Sequence, residues 1–316
     1  MINSSKKHQI YKLLFLSLMF FMSYFFNNKS FAVPIDGYIA LDNRYFLTTP
    51  SFQEQEPNHY QTSALLDFES YYNSKNNNHK FTIHPFIRLG EDDDGRNHVD
   101  LRQLDWLYKN KDIELNVGIS KKYWGVMESK HLVDIINQSD ILENIDDDAK
   151  LGQPMLSFTK YLSHGSLNFL YLPYFRSQEF PKKQDRLRNL LVDDNLEQYD
   201  SSAKKWYPSF ALRYDVAIED FDIGLSYFHG TGKDPRFILS QDLVKIIPYY
   251  DIIDQLGADI QYSLDSILLK LEYISRFGQK KRFDAFSNKI SQSVATLIPK
   301  AIFRMELNYT ANITRF

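Results

Sequence analysis

Residues 112–125 read DIELNVGISKKYWG, and apolar side chains take every second place: Ile113, Leu115, Val117 and Ile119, with Glu114, Asn116, Gly118 and Ser120 between them. A period of two puts alternate side chains on opposite faces of an extended strand, whereas a helix needs apolar residues every three or four. The pattern recurs along most of the chain. It is strong at 60–72, 80–90, 205–218, 221–230, 256–264 and 267–277, and weaker at 35–47, 98–109, 154–163, 166–175 and 301–309. The reading is all-β, with about 12 strands. In 205–218, for example, Trp206, Phe210, Leu212, Tyr214 and Val216 oppose Lys205, Ser209, Arg213 and Asp215.

Connector lengths alternate too. Short links at 73–79, 110–111, 163–166, 218–220 and 264–266 separate long ones at 47–58, 90–98, 125–153, 176–204, 229–254 and 278–300. An antiparallel up-and-down meander elaborated at one end only has this asymmetry.

Composition sets the surroundings. The chain has 316 residues and a formal net charge of −3, with mean hydropathy −0.41. Neither a helical membrane protein nor a strongly basic nucleic-acid binder fits these values, so no nucleic-acid partner is expected. Cysteine is absent, which removes disulfides and thiolate metal sites. At the front, Lys6, Lys7 and His8 precede IYKLLFLSLMFFMSYFF, and Ser30 and Ala32 frame a small-residue step. This reads as a signal peptide over 1–32, cleaved after Ala32, with an uncleaved anchor as the other reading. Beyond residue 33 no stretch reaches the roughly 18 to 20 apolar residues of a spanning helix.

In hydrocarbon every backbone amide must be paired within the protein, so strands can cross only as a closed barrel. Each strand then faces lipid with alternate residues and the interior with the rest. Residues 33–316 are therefore expected to form an antiparallel up-and-down transmembrane β-barrel in the outer membrane, with a long inserted loop at 126–154. The competing class is a soluble exported sandwich or lipocalin-like barrel, which also alternates but turns its apolar face inward.

The inserted loop is acidic, with Glu128, Asp134, Asp140, Glu143, Asp146, Asp147 and Asp148 against Lys130 and Lys150. As the third external loop it is a constriction candidate, and an acidic constriction favours cations or neutral polar solutes. A solvated external loop is the plainer reading. By strand phase, Arg88, Glu114, Lys122, Arg213, Asp215, Lys270, Glu272 and Arg276 face the interior, as pore lining or as structural ion pairs. His164 and Ser166 in SHGS have the spacing of a lipase-like pair, but the stretch reads as a tight turn. GEDDDG lacks the acid an EF-hand needs at Gly90.

The block GISKKYWGVMESKHLVDIINQSD, with KLGQPM after it, resembles a group of Gram-negative outer-membrane porin-like barrels, distantly similar to alginate-export and substrate-specific porins. Its motif residues here are Gly118, Trp124 and Gly125, followed by Glu128, Asn137, Gln138 and Asp140, and the likeness covers roughly residues 37–277. The resemblance implies an outer-membrane channel for small polar solutes, with no catalytic residues and no cofactor to carry over. Implied partners are outer-membrane lipid and lipopolysaccharide, the barrel assembly machinery and the solute. A barrel enzyme acting on lipid or lipopolysaccharide, and a non-conducting structural barrel, are the alternatives.

From about residue 284 the likeness lapses. Phe303, Met305, Leu307 and Tyr309 share one phase while Phe316 has the other. The chain thus reads as truncated or frameshifted relative to that group, with a twelve-stranded barrel as the alternative. The phase assignment also makes Leu115→Arg costly on the lipid side and Asn116→Arg tolerable on the other.

Overall fold

A computed structural model describes residues 34–90, 95–127, 131–143, 149–240, 245–264, 267–279, 283–288, 301–302 and 306–309. The expected signal peptide, Glu128, Lys130, Asp146–Asp148, Phe303, Met305 and Phe316 lie outside them.

No helix of the described residues is long and apolar enough to cross a membrane. Strands β1 (Ile35–Tyr45), β2 (Tyr60–Asn73), β3 (His79–Gly90), β4 (His98–Lys109), β5 (Ile113–Ser120), β6 (Gln153–Tyr161) and β7 (Ser166–Leu172) follow in order. After a long excursion containing β8 (Gln198–Tyr199) come β9 (Ser209–Ile218) and β10 (Phe221–Thr231). A second excursion holds β11 (Arg236–Leu239) and β12 (Ile246–Tyr250), before β13 (Ile252–Leu264) and β14 (Ile267–Phe277). Short pieces β15 (Phe283–Asn288), β16 (Ala301–Ile302) and β17 (Glu306–Tyr309) complete the described chain.

The sheet is a meander in which sequence neighbours pair from β1 through β7, on to β9, β10, β13 and β14, then β15. Each ladder from β2 to β14 is antiparallel. Among the described residues no ladder joins β1 to the far end of the sheet. Strands β8, β11 and β12 form a separate three-stranded sheet inside the long connectors. Sequence alternation does not reveal it, because these pieces are two to five residues long.

Two boundaries differ from the sequence reading. Strand β5 ends at Ser120, so YWG belongs to the following loop, and the connector between β5 and β6 spans 121–152 rather than 126–154. Strand β9 begins at Ser209, because Lys204–Trp206 forms a turn of 3-10 helix and Pro208 offers no N–H to a ladder. Trp206 is consequently exposed and not part of the strand face. The last expected strand, 301–309, is described only as β16 and β17, and β15 falls where a loop was expected.

The sidedness of the sheet is inverted relative to a soluble protein. Phe81 is 51% exposed, Leu104 48% and Leu225 50%, whereas Arg88 is 2% exposed, Asp259 2% and Glu272 0%. A soluble sheet buries its apolar face, so this arrangement rules against the lipocalin-like alternative. Short turns close the hairpins at one end. Glu219, at φ 53, lets Ile218 pair with Phe221 across a two-residue turn.

Candidate functional site

The interior of the sheet is occupied by the 121–152 loop, and sequence chemistry accounts for its seat. Asn137, fully buried, ties the two ends of the loop together. Its Oδ1 accepts from Lys122 N at 2.8 Å, while its Nδ2 donates to Ser120 O and Leu151 O, both at 2.9 Å. Gln138 donates to Lys233 O at 2.9 Å, reaching the connector after β10. A side-chain amide supplies the two donors and the acceptor needed to join two carbonyls and one N–H at once.

On the β14 side, Glu272 holds the loop by its backbone. Oε1 accepts from Val126 N at 2.8 Å and Met127 N at 3.0 Å, and Oε2 accepts from Leu132 N at 2.8 Å and Val133 N at 3.2 Å. Four backbone amides on one buried carboxylate offset part of the cost of its desolvation. Gly125, at φ 97, sits directly against this carboxylate, where a Cβ would collide with it. Around that seat, Trp124, Val133, Ile135 and Ile136 of the loop pack on Met155, Leu170, Phe228, Ile253 and Ile274 of the sheet. This half of the interior is packed with apolar side chains.

The opposite half is ionic. Asp140 accepts from Arg102 at 2.5 Å, and the His98 ring lies 3.4 Å away. Burial alone would raise the Asp140 carboxyl, but His98 and Arg102 outweigh it and hold the group well below the usual carboxylate range. Asp134 pairs with Lys150 at 3.3 Å, both almost fully buried. Glu143 accepts from both Nε and Nη2 along one edge of the Arg88 guanidinium. Between this part of the loop and β1–β4 lies a cavity of about 460 Å³, bordered by Asp42, Arg44, His84, Arg88, Lys121 and Tyr123 among others.

The remaining interior-phase residues are dispersed. Arg213 makes a bidentate pair with Asp259 at 2.8 and 2.9 Å and another contact to Asp215 at 2.8 Å, with Trp124 5.6 Å from its guanidinium carbon. Arg276 donates to Gln255 at 2.8 Å and to Asp234 at 3.0 Å. Lys270 is buried on the same face. Glu114 lies near the short-turn end, accepting from Tyr161 Oη at 3.0 Å with Lys122 3.9 Å away. Gly118, at φ 141, passes so close to Leu104 O that no side chain fits. Of the residues singled out by sequence, Arg88 and the loop's Glu143 and Lys150 border the cavity. Asn116 is not an open interior position: it is buried and donates to Asp105 at 3.1 Å.

Several residues at the cavity escape sequence reading. Asp42, Arg44 and Arg96 fall near strand ends or in connectors. Arg102 is hidden by a bulge: His84 pairs with Gln103 and Pro85 with Leu101, so Arg102 is the extra residue and both Arg102 and Asp105 turn inward. Simple alternation places residues three apart on opposite faces. His164 lies in the β6–β7 turn, exposed and with its carbonyl taken by Tyr214 Oη at 2.7 Å, while Ser166 opens β7 and pairs with Tyr161 and Asp215.

An antiparallel meander with an apolar exterior, an ionic interior and a long loop folded inside is the build of outer-membrane β-barrels of the porin type. Variants of the Rh. blastica porin align with TM-score 0.33 at 10% identity, over 80% of this chain and 92% of theirs. Pseudomonas aeruginosa OccD3 aligns with TM-score 0.31 at 11% identity, over 79% of this chain and 57% of its own. Vibrio cholerae OmpT gives TM-score 0.28 at 11% identity, over 80% and 81%. No family model and no curated sequence matches the chain.

Proposed function

We propose that the chain closes into a transmembrane barrel of the outer membrane and serves as a channel for small polar solutes. What carries the reading is the inverted sheet: rows of exposed Phe, Leu and Tyr on one face and ion pairs on the other. Ionised side chains gathered inside a hydrocarbon-facing cylinder lower the barrier for polar solutes, which pay heavily to leave water otherwise. The path runs through the cavity beside β1–β4, because the other half of the interior is filled by apolar packing.

The test is reconstitution. Proteoliposomes carrying the folded protein should swell in an iso-osmotic small sugar, and planar bilayers should show discrete conductance steps. Folded protein that gives neither would end the channel reading and leave a structural barrel. Because the chain has no cysteine, single cysteines map the path: a charged thiol reagent should alter conductance at Tyr123→Cys and leave it unchanged at Leu170→Cys.

A further inference from the structure

Resting on that reading, we propose that the cavity between β1–β4 and the interior loop binds a small oxyanion, a carboxylate or a phosphate, with Lys121 as its principal ligand. The charges on the loop's sequence point the other way, toward cations. The structure reverses this, because of where the partners sit.

Six cations border the cavity, Arg44, Arg88, Arg96, Arg102, Lys121 and Lys150, against three carboxylates, Asp42, Asp67 and Glu143. All three carboxylates are engaged. Asp42 Oδ2 has Arg96 at 3.1 Å, Arg88 at 3.2 Å and Arg44 at 3.6 Å. Glu143 takes the Arg88 fork, and Asp67 lies 2.5 Å from the His84 Nε2. Asp140 and Asp134, which neutralise Arg102 and Lys150, stand behind those cations and do not border the cavity. Each of these carboxylates already faces a guanidinium or imidazole group, so an entering cation meets a fixed competitor at every one, whereas an anion meets a surplus of lining cations.

Lys121 is the exception that invites a ligand. It forms no ion pair with any described residue, although Lys122 beside it reaches Glu114. Burial and the nearby Arg102 push its ammonium below the ordinary lysine range, and the charges of Asp67, Glu69 and Asp100, which pull the other way, do not offset them. An ammonium offers three donors and no acceptor, so an oxyanion is the solute group that relieves it.

The experiment measures selectivity of the full protein in planar bilayers across a potassium chloride gradient near 0.01 M, where the screening length is about 30 Å. The reversal potential should show chloride preferred over potassium, and added sodium acetate or sodium phosphate should reduce the chloride current. Whichever anion competes at lower concentration identifies the oxyanion. Lys121→Gln should lower the anion preference severalfold, Lys121→Arg should restore it, and Lys111→Gln, in an exposed turn at the far end, should leave it unaltered. Channels that open but prefer potassium overturn the proposal while the channel reading stands, as does competition by neither anion, or a Lys121→Gln selectivity equal to wild type. Folded protein with no conductance overturns the channel reading and this proposal with it.

Discussion

At the residue scale, Glu272 and Asp140 decide whether the loop stays inside. Glutamine in place of Glu272 keeps one acceptor oxygen and turns an NH2 toward two of the four backbone donors. Each buried donor left unpaired costs about 1–3 kcal/mol. Glu272→Gln should therefore speed protease cleavage within 121–152 while the strands stay intact, and an unchanged cleavage rate would remove Glu272 from its role as the loop's anchor. Asp140 gives a pH signature. Its folded carboxyl is held below the unfolded value, which lies near about 4. The stabilisation is thus fully present above that unfolded value and disappears only as pH falls toward the depressed folded one. The stability deficit of Asp140→Asn, read as the unfolding midpoint in denaturant, should be at least as large at pH 5, where His98 is protonated and paired with Asp140, as at pH 7, and should shrink only in stronger acid. A deficit that already vanishes at pH 5 would contradict the pairing with Arg102.

At the scale of the element, each strand is a two-sided ribbon, and its two faces respond oppositely to charge. Leu115 stands on the outer face of β5, opposite Tyr108 and Phe158 on the neighbouring strands. Leu115→Arg should cost about 2–4 kcal/mol if it lies near the midplane of the membrane. Tyr123→Arg, beside the cavity where Tyr123 is 59% exposed, should leave the unfolding midpoint unchanged. Equal losses from both would mean that the outer face is not the lipid face. Strand β4 marks where this simple alternation stops: the bulge at Arg102 turns the ribbon by one residue, so Val99 faces outward before it and Leu104 after it. Pro85 opposite the bulge lacks an N–H, and an irregular ladder tolerates it.

For the whole molecule, a sheet with its ionic groups inside holds together only when hydrocarbon or detergent covers its outside. The folded chain should migrate faster than the boiled one in detergent gels, because a barrel with every strand paired resists detergent until heated. Identical mobility before and after boiling would argue against a closed barrel. The period-two pattern and the alternating connectors already specify the antiparallel meander and which face of each long strand is apolar, because both are properties of neighbouring residues. They could not specify where the interior loop is seated, since that depends on contacts such as Glu272 with Val133 and Arg88 with Glu143, made by residues far apart in the chain. A count of acids made the loop look cation-attracting, but charge at a cavity is set by which groups line it and which stand behind. Only the tertiary structure places Asp134 and Asp140 behind Lys150 and Arg102, because burial forces each carboxylate onto a partner that no local spacing encodes.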